Sequence, residues 1–121
     1  MKPTLSSGLI AAAILGLSLG VANAHPRLLA ANPAPNGRVA APAEVRLGFS
    51  ETLIERFSRI ALMDGRGRPI KVGATALAPN HKQLVAPVSG KLAPGVYRVA
   101  WTAVSTDTHR VQGVYAFKVV R

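Results

Sequence analysis

Beyond residue 24 the chain has no helical periodicity of useful length. Its apolar residues fall in short runs that alternate with polar ones, cut by Pro, Gly, Asn and Asp. A period of two puts successive side chains on opposite faces of a strand, so such a chain can bury its apolar half only by stacking sheets. In Glu44–Phe49, Val45, Leu47 and Phe49 face one way while Glu44 and Arg46 face the other. After Pro94-Gly95 the same alternation sets Tyr97, Val99, Trp101 and Ala103 against Val96, Arg98, Ala100 and Thr102. Further runs lie at Arg27–Ala31, Ile60–Met63, Pro69–Val72, Gln83–Ala86 and Val111–Val120, with Asp64-Gly65-Arg66-Gly67 as a hairpin turn and Pro79-Asn80-His81-Lys82 as another turn. Only Glu51–Phe57 suits a short helical turn. About seven strands in under 100 residues predict an all-β, two-layer sandwich with Trp101, Tyr97, Phe49 and Phe117 in its core.

The first 24 residues read differently. Lys2 precedes an apolar stretch from Leu9 to about Val21, shorter than the ~20 residues of a membrane-spanning helix. The stretch ends in Ala22-Asn23-Ala24, the small-x-small pattern of a signal-peptidase site. The expectation is therefore a cleaved signal peptide, 1–24, and one domain, 25–121, delivered to the periplasm. The chain has no cysteine, so neither a disulfide nor a lipid-modified cysteine is expected. The 15 Lys and Arg less Lys2 leave 14 against 5 acids, a net charge of +9 on residues 25–121. Such a charge favours anionic lipid or acidic partners; no motif of a nucleic-acid-binding class is present. The densest basic cluster, Arg56, Arg59, Arg66, Arg68 and Lys71, reads as a solvated face.

Residues that can carry chemistry are few: three histidines (His25, His81, His109) and two aspartates (Asp64, Asp107). Asp64 suits a turn former, and His81 an ordinary exposed histidine. Cleavage would make His25 the N-terminus, offering an α-amine and an imidazole from one residue. Their ordinary pKa values, ~7.7–8.0 and ~6.5, let a strong Lewis acid displace the proton near neutral pH. Pro26 has no N–H, so the next backbone amide cannot become a ligand. Asp107 and His109, two apart, would share a face of an extended segment. Together these donors make a set of three nitrogens and one carboxylate oxygen, which suits Cu(II). Glu51 is a candidate to orient a ligand histidine, or simply a solvated carboxylate. The residues leave two other readings open: a metal-free interaction module, and a copper-dependent oxidative enzyme, against which the shortage of aromatic residues and the carboxylate ligand both argue.

Four ordered motifs resemble the CopC family of periplasmic copper-resistance proteins. They are Asn32-Pro33-Ala34-Pro35-Asn36-Gly37 after His25; Ala41-Pro42-Ala43-Glu44-Val45-Arg46-Leu47-Gly48-Phe49-Ser50-Glu51; Leu92-Ala93-Pro94-Gly95-Val96-Tyr97-Arg98-Val99-Ala100-Trp101; and Ser105-Thr106-Asp107-Thr108-His109 followed by Gly113. The resemblance implies an immunoglobulin-like, seven-stranded Greek-key sandwich or barrel. It implies a non-enzymatic, monomeric copper carrier holding one Cu(II) per chain through His25, Asp107 and His109. It further suggests an inner-membrane copper-import partner of the CopD type. The methionine-rich Cu(I) loop of part of the family has no counterpart here: Met63, in an apolar strand, is expected to be a core or interface side chain. Pro26 stands where a small residue is expected, and Thr108 where a glycine is often found.

Overall fold

The computed structural model describes residues 25–121; the expected signal peptide lies outside the described residues. Among them run nine strand segments: β1 (Leu28–Asn32), β2 (Arg38–Val39), β3 (Glu44–Phe49), β4 (Arg59–Asp64), β5 (Pro69–Ile70), β6 (Ala76–Leu77), β7 (Gln83–Pro87), β8 (Gly95–Val104) and β9 (Arg110–Val119), with one 3-10 turn at Glu55–Phe57. The excess over the seven expected lies in β2 and β6, two-residue edge segments too short to show a period.

The strands form two sheets, ordered β1-β3-β7-β6 and β2-β9-β8-β4-β5. All pairings are antiparallel except β2 with β9. Burial follows the period of two. Val45, Leu47 and Phe49 of β3 and Leu84 and Ala86 of β7 meet Tyr97, Val99, Trp101 and Ala103 of β8, Ile60 and Leu62 of β4, and Phe117 and Val119 of β9. Each large apolar side chain removed from water in this way contributes ~1.5–3 kcal/mol. Phe49 meets Trp101 edge to face at 5.1 Å, joining the two sheets near one end. Tyr97 is buried beside Phe117, and its hydroxyl donates to the carbonyl of Ala93 at 2.7 Å. Gly113 has a specific reason: a Cβ there would lie 2.6 Å from Cζ2 of Trp101, so the indole occupies the space a side chain would take. Of the two expected places for Met63, core or interface, the structure excludes the core. Met63 has the parity of Arg59 and Ala61 in β4 and is half-buried on the outward face.

The longest feature positions the site. β8 and β9 pair without interruption from Gly95↔Val119 to Val104↔Arg110. The hairpin loop 105–109 is thus carried at the tip of a rigid ten-residue ribbon.

Candidate metal centre

Three segments meet at that tip. Backbone bonds stitch the hairpin loop to the chain after β3: the Thr106 N–H donates to the Thr52 carbonyl (3.0 Å), the Ile54 N–H donates to the Val104 carbonyl (2.8 Å), and Leu53 bridges Ser105. The N-terminal segment is held from the other side. The Arg27 N–H donates to the Ser50 hydroxyl (2.9 Å), and the Ser50 N–H returns to the Arg27 carbonyl (2.9 Å). Pro26 is fully buried, so the residue that removes an amide donor also anchors the chain. These bonds bring the His25 ring over the His109 ring, with centroids 4.4 Å apart and planes tilted by 57°.

Asp107 and His109 are adjacent, but not for the reason the sequence suggested. The segment is a tight turn, not an extended strand. The Thr108 N–H donates to the Ser105 carbonyl at 2.8 Å, and Thr108 takes a φ of +72°. A β-branched residue rarely adopts that conformation, which accounts for glycine being the commoner occupant that the resemblance implied. The turn sets Nδ1 of His109 3.1 Å from Oδ2 of Asp107. Two donors bound to one metal at ~2.0–2.1 Å and a right angle lie ~2.8–3.0 Å apart, so the observed spacing suits neighbouring ligands.

Ser105 completes the arrangement. It is 2% exposed, and its hydroxyl donates to Oδ1 of Asp107. That bond, followed by the contact with His109, holds the Asp107 carboxyl below its ordinary pKa, so it stays ionised through the physiological range. Nδ1 of His109 is buried with no well-aligned hydrogen-bond partner among the described residues, despite the carboxylate beside it. A buried polar atom left in that state is costly; a cation seated there would satisfy it, and the nitrogen–carboxylate chemistry fits copper. As placed, no three His, Asp or Glu side chains among the described residues are grouped closely enough to hold a metal by themselves. The structure instead shows two juxtaposed pairs that share His109.

The other candidates separate clearly. His81 is exposed in its turn at φ +61°. Asp64 caps the β4–β5 turn, accepting from the N–H groups of Arg66 and Arg68 at 2.9 Å each, which lowers its pKa. Glu51 is half-buried beyond β3, while the side chain bonded to Asp107 is Ser105. Within the Ser105-Thr106-Asp107-Thr108-His109 motif nothing in the spacing marks Ser105; the turn alone brings its hydroxyl to Asp107.

Comparison with known proteins gives a consistent picture. The CopC domain matches residues 28–120. Copper resistance protein C of Pseudomonas syringae pv. tomato is 36% identical over 106 residues, covering 82% of this chain and 83% of the relative. Copper resistance protein C of Escherichia coli is 40% identical over 114 residues, covering 86% and 90%. The crystal structure of PcoC from Escherichia coli, described as a methionine-rich copper resistance protein, superposes with a TM-score of 0.74 at 36% identity, covering 80% of this chain and all of that one. These names carry copper resistance and no enzymatic activity.

Proposed function

This chain belongs to the CopC family, and we propose on that premise that it is a periplasmic Cu(II) carrier whose site is built by its mature N-terminus. The observation that carries the reading is the placement of the His25 ring 4.4 Å from the His109 ring, beside the Asp107 carboxylate and the unsatisfied Nδ1. Removal of residues 1–24 would free the His25 amine, so that amine and ring chelate one ion together. The His109 ring and the Asp107 carboxylate complete a tetragonal set, one copper per chain.

Each residue has a defined part. Pro26 keeps the backbone out of the coordination and seats the N-terminus in the fold. Ser105 holds Asp107 ionised and aimed. The ring tilt of 57° leaves the two imidazoles unstacked. No thiolate is available, and Met63 lies on the outward sheet face beside β8, which supports Cu(II) over Cu(I) as the cargo. With no open coordination position designed in, the protein binds and releases copper and leaves chemistry to others. An inner-membrane importer of the CopD type is the recipient suited to a monomeric carrier.

Electron paramagnetic resonance during Cu(II) titration tests the reading with two proteins, one beginning at His25 and one retaining Ala24. The extension blocks the amine and leaves every side chain in place. One tight equivalent only in the first form supports the N-terminal chelate. Equal binding by both removes the amine from the site, and binding by neither refutes the carrier assignment.

A further inference from the structure

The basic excess is not spread evenly. The outward face of the five-stranded sheet presents Arg59 from β4, Arg98 from β8, Arg110 and Lys118 from β9, and Arg38 from β2, all exposed. Registers put them on neighbouring strands: Arg38 opposite Lys118, Arg98 opposite both Met63 and Ala116, and Arg110 opposite Val104. Arg38 and Lys118 face each other across strands ~4.8 Å apart, inside the ~8 Å screening length of physiological salt, while Arg59, Arg98 and Arg110 are spaced along the sheet as successive docking points.

None of the five acidic residues lies on this face. Glu44 pairs with Arg46 in the other sheet, and Asp64 with Arg68 in the β4–β5 turn. Glu55 accepts from the Leu77 N–H, Asp107 is held by Ser105, and Glu51 follows β3. Among the described residues, none of the five cations is ion-paired. The cluster read from the sequence as one basic run is in fact dispersed: Arg68 is paired, Arg56 lies 4.8 Å over the Phe57 ring, and Arg59 alone joins the sheet face.

Between the cations the face is apolar and low. Ala61, Ala100 and Ala116 form its floor, with Val96 and Val114 exposed at 46% and 62%. A depression of about 280 Å³ opens between Arg59, Gln112 and Val114 over Ala61 and Ala100. We propose that this face is a docking surface for an acidic segment of a partner protein, whose projecting carboxylates meet Arg59, Arg98 and Arg110 and whose small apolar side chain fills the depression.

A bilayer suits the face less well. Interfacial binding calls for Trp, Phe or Leu that reach into the acyl region. Here no aromatic projects from the face, and the alanine floor lies beneath the cationic tips. Four of the five cations are arginine, whose planar fork binds carboxylates bidentately. Arg110 directly follows His109, so a docked partner would stand at the rim of the candidate metal centre. The surface stands on charge and shape and does not depend on the copper reading.

The test is a two-dimensional amide NMR titration of the exported protein with a blocked pentapeptide, one leucine flanked on each side by two glutamates. Vesicles of phosphatidylcholine with a quarter phosphatidylglycerol form the parallel arm. Expected are shifts confined to β4, β8 and β9. A triple variant Arg59→Glu, Arg98→Glu, Arg110→Glu should lose at least tenfold in affinity. The variant Lys82→Glu, Lys91→Glu, Arg121→Glu, with the same change in net charge, should stay within twofold. Both variants are first checked for unchanged circular dichroism. Equal loss in both variants, shifts scattered over all basic residues, absence of peptide binding, or tighter binding to vesicles than to peptide would each overturn the proposal.

Discussion

Replacing Gly113 by alanine tests whether the indole of Trp101 is seated where the packing places it. Two effects of opposite sign compete. In an unhindered strand, Gly→Ala stabilises by ~0.4–1 kcal/mol, because the unfolded chain loses freedom. Here the new Cβ would sit 2.6 Å from Cζ2, 2.9 Å from Cε2 and 3.1 Å from Nε1 of Trp101. Carbon contacts settle at ~3.5–4.0 Å, so the ring must retreat by ~1 Å. It has little room, being 9% exposed and packed edge to face on Phe49 at 5.1 Å. Overpacking of this kind costs ~1–3 kcal/mol, which exceeds the entropic gain and leaves a net loss of ~1–2 kcal/mol. With a urea m-value near ~1–1.5 kcal/mol/M for a chain this small, the midpoint should fall by ~0.7–2 M. Trp101 is the only tryptophan, so its emission reports the displacement directly. A cycle with Trp101→Phe, followed by circular dichroism, isolates the pair: Gly113→Ala should cost less once the indole is gone. A variant as stable as the parent, with unshifted emission, would refute the argument.

Three further outcomes are expected. Ser105→Ala removes the main cause of the lowered Asp107 pKa and the hydrogen bond that aims its carboxylate; Cu(II) affinity should fall by ~10-fold, measured by competition with a chelator, and an unchanged affinity would deny Ser105 its orienting role. Thr108→Gly relieves a φ of +72°, a strain of ~1–2 kcal/mol, against ~0.5–1 kcal/mol of added chain entropy; a calorimetric rise in Tm of ~2–6 °C is expected, and a fall would show that the Thr108 side chain, whose hydroxyl donates to the Asp107 carbonyl, matters more than the backbone. Acid should release copper between pH 7 and pH 5, because protons compete with the ion for both ring nitrogens and the amine, while Asp107, its pKa lowered, stays ionised and contributes nothing in that window. A pH-independent affinity across that range would contradict the three-nitrogen donor set.

The strands β3, β8 and β9, and the inward faces of β3 and β8, were legible in the sequence because a period of two is a local property. The same holds for the Asp64 turn, formed by a side chain bonding its own backbone. The donor types at the candidate site were legible too, since an N-terminal histidine and an Asp-x-His segment are chemically distinctive. Local pattern failed where position depends on distant chain. β2 and β6 exist only because β9 and β7 offer them an edge. The neighbourhood of Asp107 and His109 comes from a turn with a positive-φ threonine, not from strand alternation. The meeting of His25 with His109 spans 84 positions and is made by the Arg27–Ser50 and Thr52–Thr106 bonds, and the gathering of five cations on one face is made by sheet order. Sequence periodicity determined which side of the longer strands is apolar; which sides come to stand next to one another was decided only by the pairing of strands remote in the chain, whose register no local propensity carries.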